Sequence, residues 1–325
     1  MKKYFIGAVL ATLVLGLAPM TASAITISPP VIEFDARPGD TIVDIIKLYN
    51  ETNESITMTA MVQTFKALDE TGAPAFASVE QSTGLATWVK MDETVITLAP
   101  EERKDVLFAI NVPKNAEPGG HFAGVLWTTG GPSSTGETGV GIVVKTGTLL
   151  LVRVAGEVNE TGQLASFTAD RQSYNYLPVN FSVRFENVGN VHLKPAGMIE
   201  VSNMLGTKVA SLPVNGELAN VLPNSIRKFD AAWQKSEILP DASEWQKERD
   251  NFAWGRYTAT LILNYGLESQ EVTAKVYFWV FPWRITLFCL AVLIILILIL
   301  IQGIRSYNKW LIKKYSQSQT PKTVQ

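Results

Sequence analysis

Val179–Asn190 reads VNFSVRFENVGN. Val179, Phe181, Val183 and Phe185 fall on one side of an extended chain, and Asn180, Ser182, Arg184 and Glu186 on the other. Successive side chains of a strand point to opposite faces, so this period of two marks a half-buried β-strand. Glu186 to Asn190 supply turn chemistry, and another strand is expected near Val191–Leu193. Outward from this stretch the same grammar repeats. Met198–Ser202 follows Pro195-Ala196-Gly197. Tyr257, Ala259, Leu261, Leu263 and Tyr265 alternate with Thr258, Thr260 and Asn264. Gly266–Gln270 then turns that strand into Val272–Val280. A β-sandwich over residues 164–281 is the expected unit, with the charged stretch Asp241–Asp250 as a helical ornament on it.

Toward the N-terminus lies a second set of short strands. Ile25–Ser28 and Val31–Phe34 flank Pro29-Pro30, as suits an edge strand broken by a bend. Arg37-Pro38-Gly39-Asp40 is a turn, and Ile42–Tyr49 a mostly apolar strand. Ile56, Met58, Ala60 and Val62 share one face, as do Val106, Phe108, Ile110 and Val112. Residues 67–86 are polar and glycine-bearing, a loop with a short strand or helical turn. Phe122–Trp127 is a strand, Thr128–Gly139 (TTGGPSSTGETG) a flexible connection or binding loop, and Val140–Val154 a long closing strand. A sandwich over residues 25–155 is expected, joined to its neighbour by a linker at Gly156–Leu164.

The last sandwich strand runs almost directly into Ile285–Ile304, ITLFCLAVLIILILILIQGI, about twenty residues without a charge. A helix here satisfies its own backbone groups, as hydrocarbon demands. Trp279, Phe281 and Trp283 precede it as an aromatic belt, and Tyr307 and Trp310 follow. Arg305, Lys309, Lys313, Lys314 and Lys322 make residues 305–325 a basic tail, expected in the cytoplasm. At the other end Lys2 and Lys3, the apolar Phe5–Leu17 and Ala22-Ser23-Ala24 have the make-up of a secretory signal peptide, residues 1–24. The expected localisation is a cell membrane crossed once, N-terminus outside and C-terminus in the cytoplasm.

Outside the signal, the tail and Arg284, 20 basic residues face all 30 acidic ones, a charge near −10. That argues against a nucleic-acid partner. The one cysteine, Cys289, lies within the apolar segment, so an exported chain of this size must rely on its core rather than on disulfides. This favours a bacterial or archaeal envelope, where the sequons at Asn50, Asn53, Asn159 and Asn180 are coincidental.

Candidate chemistry is sparse. His121 and His192 are assigned to different domains, and a zinc or triad site needs several such groups at one point. Glu101 and Glu102 sit in an apparent turn as solvated charge. Trp88 and Trp127 fit either sugar stacking or, more often in an all-β domain, the core. No catalytic, cofactor-binding or metal residue is assigned, no cofactor is expected, and the chain is read as no enzyme.

Four segments carry a resemblance: ISPPVIEFDARPGDTIVDIIKLYNETNESITMTAMV, LAPEERKDVLFAINVP, PGGHFAGVLW and the closing strand. Over Ile25–Val154 they resemble the immunoglobulin-like domain of bacterial WxL-interacting surface proteins and, more distantly, the N-terminal domain of PapD-like periplasmic chaperones. The resemblance implies envelope location and binding of peptidoglycan or surface proteins without catalysis. The expected fold is all-β, two Ig-like sandwiches followed by one C-terminal transmembrane helix. The expected function is a membrane-anchored envelope protein that binds cell-wall glycan or a surface-protein partner. The alternative is a membrane-tethered assembly chaperone. In either case the Val140–Val154 strand is the expected docking edge, and in the chaperone reading Leu149 and Leu151 are the residues expected to carry subunit capture.

Overall fold

The computed structural model of the protein describes residues 25–129 and 145–317. The signal-like residues 1–24, most of the Thr128–Gly139 connection and the end of the basic tail lie outside the described residues. The chain divides into two compact units. Unit 1 comprises Met1–Leu68, Ala73–Asn159 and Gly189–His192; unit 2 comprises Asp69–Gly72, Glu160–Val188 and Leu193–Gln325.

Unit 1 is a sandwich of two sheets. One runs β1 (Ile25–Ser28), β3 (Thr41–Asn50), β8 (Arg103–Asn111) and β6 (Val89–Met91), in that order and antiparallel throughout. The other runs β2 (Val31–Ala36), β10 (Lys145–Val154), β9 (Gly119–Thr129), β4 (Ile56–Ala67) and β5 (Pro74–Phe76), with β7 (Val95–Leu98) on the first part of β4. β1 and β2 are thus the two sides of one broken strand, and each joins a different sheet. Ile46, Leu48, Val106, Phe108 and Ile110 from the first sheet meet Met58, Val125, Trp127, Leu150 and Val152 from the second. Ala123–Trp127 is buried on both faces, which explains its unbroken apolar run. On the far face of β9, a Cβ at Gly124 would stand 2.6 Å from the Phe76 ring, so glycine there makes room for that side chain.

A buried asparagine closes one end of unit 1. The Asn50 side chain donates to the carbonyls of Glu54 (2.8 Å) and Ala99 (2.9 Å) and accepts from the Thr52 N–H (3.0 Å) and hydroxyl (2.7 Å). A buried amide is tolerated only when its donors and acceptors are met, as they are here.

Unit 2 is a second sandwich. Its smaller sheet is β11 (Gly162–Ala169), β13 (Val179–Asn187) and β16 (Ser225–Trp233). Its larger sheet runs β12 (Ser173–Tyr174), β18 (Gln270–Val280), β17 (Gly255–Tyr265), β14 (Ala196–Asn203) and β15 (Lys208–Val214). Val179, Phe181, Val183 and Phe185 are all buried, opposite Ile199, Leu261, Leu263 and Phe278. Two expectations change. The segment read as a linker to Leu164 already enters β11, where Gly162 lies under the Phe185 ring. Near Val191–Leu193 there is no strand but a single bridge, Leu193 to Val221.

Next to β12, the Tyr174 hydroxyl donates to Asp170 Oδ1 at 2.5 Å, and the Asn180 N–H donates to the same oxygen at 3.1 Å. Burial pushes the Asp170 carboxyl up, but the hydrogen bonds from Tyr174 and Asn180 outweigh it and hold the group below its usual range. A depressed folded pKa contributes stability above the unfolded value, near 3.9, and loses it as pH falls through the folded value. Asp170→Asn should therefore flatten the decline of unit 2 stability below about pH 4. Urea midpoints measured across that range check it; an unchanged slope would show that the clasp does not respond to acid.

Among the described residues there are three α-helices, α1 (Leu85–Trp88), α2 (Glu244–Asp250) and α3 (Trp283–Gln317). Ser243 and Gln246 form a reciprocal capping box at the start of α2. In α3, Trp283–Ile312 has a mean hydropathy of 3.2 in its most apolar window, none of which is buried in the protein. It is the one helix among the described residues that is long and apolar enough to cross a membrane.

Candidate functional site

The outer face of the four-stranded sheet in unit 1 is organised by register. Val43 stands beside Ala109, Ile45 beside Leu107, Lys47 beside Asp105, and Tyr49 beside Arg103. Lys90 of β6 flanks Ala109, and Thr26 and Ser28 of β1 flank Tyr49 and Lys47. The centre of this face is apolar and open: Val43 is 62% exposed and Leu107 48%. Its rim is polar. The Arg103 guanidinium lies 4.5 Å above the Tyr49 ring, and Thr41 donates to Asn111 at 3.2 Å. An apolar centre inside a polar rim, with a stacked Arg and Tyr, is the composition of a protein-binding surface. Sequence reading missed it. The signal was there in Val43 and Leu107, which are apolar at strand positions out of phase with the core.

The edge expected at Val140–Val154 is not an open edge over most of its described length. Leu149–Val154 pairs with β2 on one side and with β9 on the other. Leu151 is buried and Leu149 half-buried, so neither is presented to a partner. A strand flanked on both sides has no free backbone groups for a third. Lys145, Thr146, Gly147 and Thr148 run past the β2 ladder with β9 as their neighbour, and of these the Thr148 hydroxyl is tied to the Pro29 carbonyl at 2.7 Å. Residues 140–144 lie outside the described residues.

The aromatic and titratable candidates are placed as follows. Trp127 is fully buried in the core and cannot stack on a sugar. Trp88 packs against the core and against His121, with ring centres 4.5 Å apart. His121 Nε2 lies 2.8 Å from the Glu117 carbonyl. His192, assigned to the second domain from sequence, belongs to unit 1, where its ring meets Phe122 and its Nε2 lies 3.7 Å from Glu33. His121 and Phe122 project to opposite faces of β9, so the two histidines do not share a site. Glu101 and Glu102 sit in a turn, where Glu102 accepts from the Ala99 N–H at 2.6 Å.

In unit 2 one carboxylate stands out. Glu248 of α2 is completely buried, and it accepts from Arg284 Nη1 (3.0 Å) and from the Ile285 N–H (3.2 Å) in the first turn of α3. Arg284 also reaches Glu244 at 3.3 Å and lies over the Trp283 ring. The stretch expected to be an ornament is instead strapped to the base of the apolar helix. A carboxylate near a helix N-terminus is favoured by the free N–H groups there.

No protein-family model matches the sequence, and no curated protein matches it. The likeness to WxL-interacting proteins therefore stays a resemblance. Among solved structures, the chain is similar to the class 5 fimbrial chaperone CfaA at 12% identity, covering 78% of this chain and 98% of that one, with a TM-score of 0.39. It is similar to the E. coli chaperone DraB at 12%, covering 78% and 96%, with a TM-score of 0.34. It is also similar to the Pseudomonas aeruginosa CupB2 chaperone at 9%, covering 78% and 100%, with a TM-score of 0.36. Such distant likenesses say nothing of a ligand.

Proposed function

We propose that this chain is a non-enzymatic, single-pass envelope protein whose unit 1 binds another surface protein through the outer face of the β1-β3-β8-β6 sheet. The observation that carries it is the open apolar centre, Val43 and Leu107 with Ile45 and Ala109, inside a rim of Lys47, Asp105, Lys90 and the Arg103–Tyr49 stack. Exposed apolar clusters with polar rims mark interaction surfaces. The basic residues after the apolar helix favour an orientation with both units outside. The resemblance of Ile25–Val154 to WxL-interacting proteins agrees with this. Binding to cell-wall glycan has less behind it, since Trp127 is buried and Trp88 is covered by His121.

A second reading, the tethered chaperone, rests on Lys145–Gly147, where β10 outruns β2 and leaves a short edge for strand addition. The full chain, solubilised in detergent, is to be used to capture envelope proteins, with isolated cell wall as a parallel matrix. Leu107→Asp should lower capture of the partner about tenfold or more, a change of about 1.4 kcal/mol or greater. It should leave folding stability within about 0.5 kcal/mol, because the site is exposed. Undiminished capture by Leu107→Asp, together with loss on Thr146→Pro, would move the function to the β10 edge. Retention on cell wall alone would overturn the protein-partner reading.

A further inference from the structure

The base of unit 2 carries an unusual density of outward aromatic rings. Trp245, Phe252, Trp254, Trp279, Phe281 and Trp283 are all exposed by a third of their surface or more. The register places several of them at one end of the larger sheet. Gly255 pairs with Val280 and Arg256 with Trp279, so Trp254 and Phe281 lie just past the last rung, where β18 leads into α3. α2 then sets a depth. Its Trp245 ring meets the Phe288 ring edge-on, with centres 5.4 Å apart, and Phe288 lies five residues into α3, about 7.5 Å along its axis. The Glu248 contacts to Arg284 and the Ile285 N–H keep α2 beside that first turn. Whatever medium surrounds Phe288 must therefore also reach Trp245.

We infer that the base of unit 2, formed by α2 with Trp245, Trp254 and Trp279, is seated in the headgroup layer of the lipid bilayer. It would hold unit 2 on the membrane surface instead of letting it swing on a single helix. This rests on reading α3 as a membrane span. Indole rings suit the site because one edge is apolar and the N–H is polar, the combination that concentrates tryptophan at membrane interfaces. One cation agrees with it: Arg256 stands beside Trp279 in the register, 4.7 Å from the Tyr277 ring, where a long basic side chain suits the headgroup level, whereas Arg284 is held by Glu244 and Glu248. Continuity with the exposed apolar flank of α3 singles out lipid as the occupant, since Phe288, exposed like Leu287 and Leu290, is in contact with Trp245 of the belt.

The test uses the full chain with Cys289→Ser, reconstituted in phosphatidylcholine and phosphatidylglycerol vesicles. Single nitroxide labels are placed at Trp245→Cys, Trp254→Cys, Leu293→Cys and Val43→Cys. Relaxation by apolar oxygen is compared with relaxation by a water-soluble nickel chelate. The inference expects Leu293 to be open to oxygen and closed to nickel, Val43 to show the reverse, and Trp245 and Trp254 to lose nickel contact relative to Val43. Nickel access at Trp254 and Trp245 equal to that at Val43, with Leu293 still protected, overturns the surface seat and leaves the span intact. Nickel access at Leu293 overturns the span itself. If one label prevents folding by circular dichroism, the other position decides.

Discussion

Phe278→Ala is expected to lower the stability of unit 2 by about 3–5 kcal/mol. Phe278 is 1% exposed and sits at the centre of an aromatic cluster. Its ring centre lies 5.7 Å from Phe181, 5.7 Å from Tyr257, 5.9 Å from Tyr174 and 6.1 Å from Trp233. These partners come from β12, β13, β16 and β17, so one ring ties both sheets together. Truncation loses the transfer free energy of the ring and opens a cavity that four rigid neighbours cannot refill. Tyr277→Ala, one residue away and facing out, serves as the contrast. It removes a ring lying over Arg256 and should cost no more than about 1 kcal/mol. Urea unfolding followed by tryptophan fluorescence checks both. Similar losses at the two positions would mean that the inward face of β18 has been misassigned.

Glu248→Ala should have the second large effect, and a local one. It strips the acceptor from Arg284 Nη1 and the Ile285 N–H, both of them part-buried. Groups left unpaired cost about 1–3 kcal/mol when fully buried, so the loss here falls toward the lower end of that range. Arg284 keeps one contact, to Glu244, which limits the loss. Amide exchange of Trp245–Arg249 should accelerate, and the Trp245 ring should part from Phe288. Glu248→Gln keeps an oxygen for the Ile285 N–H and should lose less. Glu244→Ala removes a half-exposed carboxylate and should matter least. Unchanged exchange in Glu248→Ala would show that α2 is held by Trp245 alone.

How much was legible in advance depended on phase. In β13 and β17 the inward residues are apolar except for Asn187 at the end of β13, and the outward ones are polar except for Ile262, so direction and burial could be read together. β11, β15 and β16 escaped. Ser225–Trp233 mixes Arg227, Lys228 and Asp230 with Phe229 and two alanines, and Lys208–Val214 is mostly exposed with Pro213 inside it. Edge strands carry a weaker alternation because they bury less. Asp241–Asp250 misled for another reason. Four of the seven α2 residues are acidic or basic neighbours of Glu248, and a charged run reads as solvated face unless its partner is known. The partner, Arg284, is 36 residues away.

By itself the sequence determined the all-β class, the position of the strongest strands and the apolar helix. Each of these follows from a local period, two residues for a strand and an uninterrupted apolar run for the span. It did not determine which strands are neighbours. A period of two says which side of a strand faces inward, but it is the same for every partner, and register is set only when both sheets close over one core. Only that closure placed β2 along Leu149–Val154 and took away the expected edge. The same closure set Val43 beside Ala109 and Ile45 beside Leu107 on an open face, and brought Glu248 to the first turn of α3.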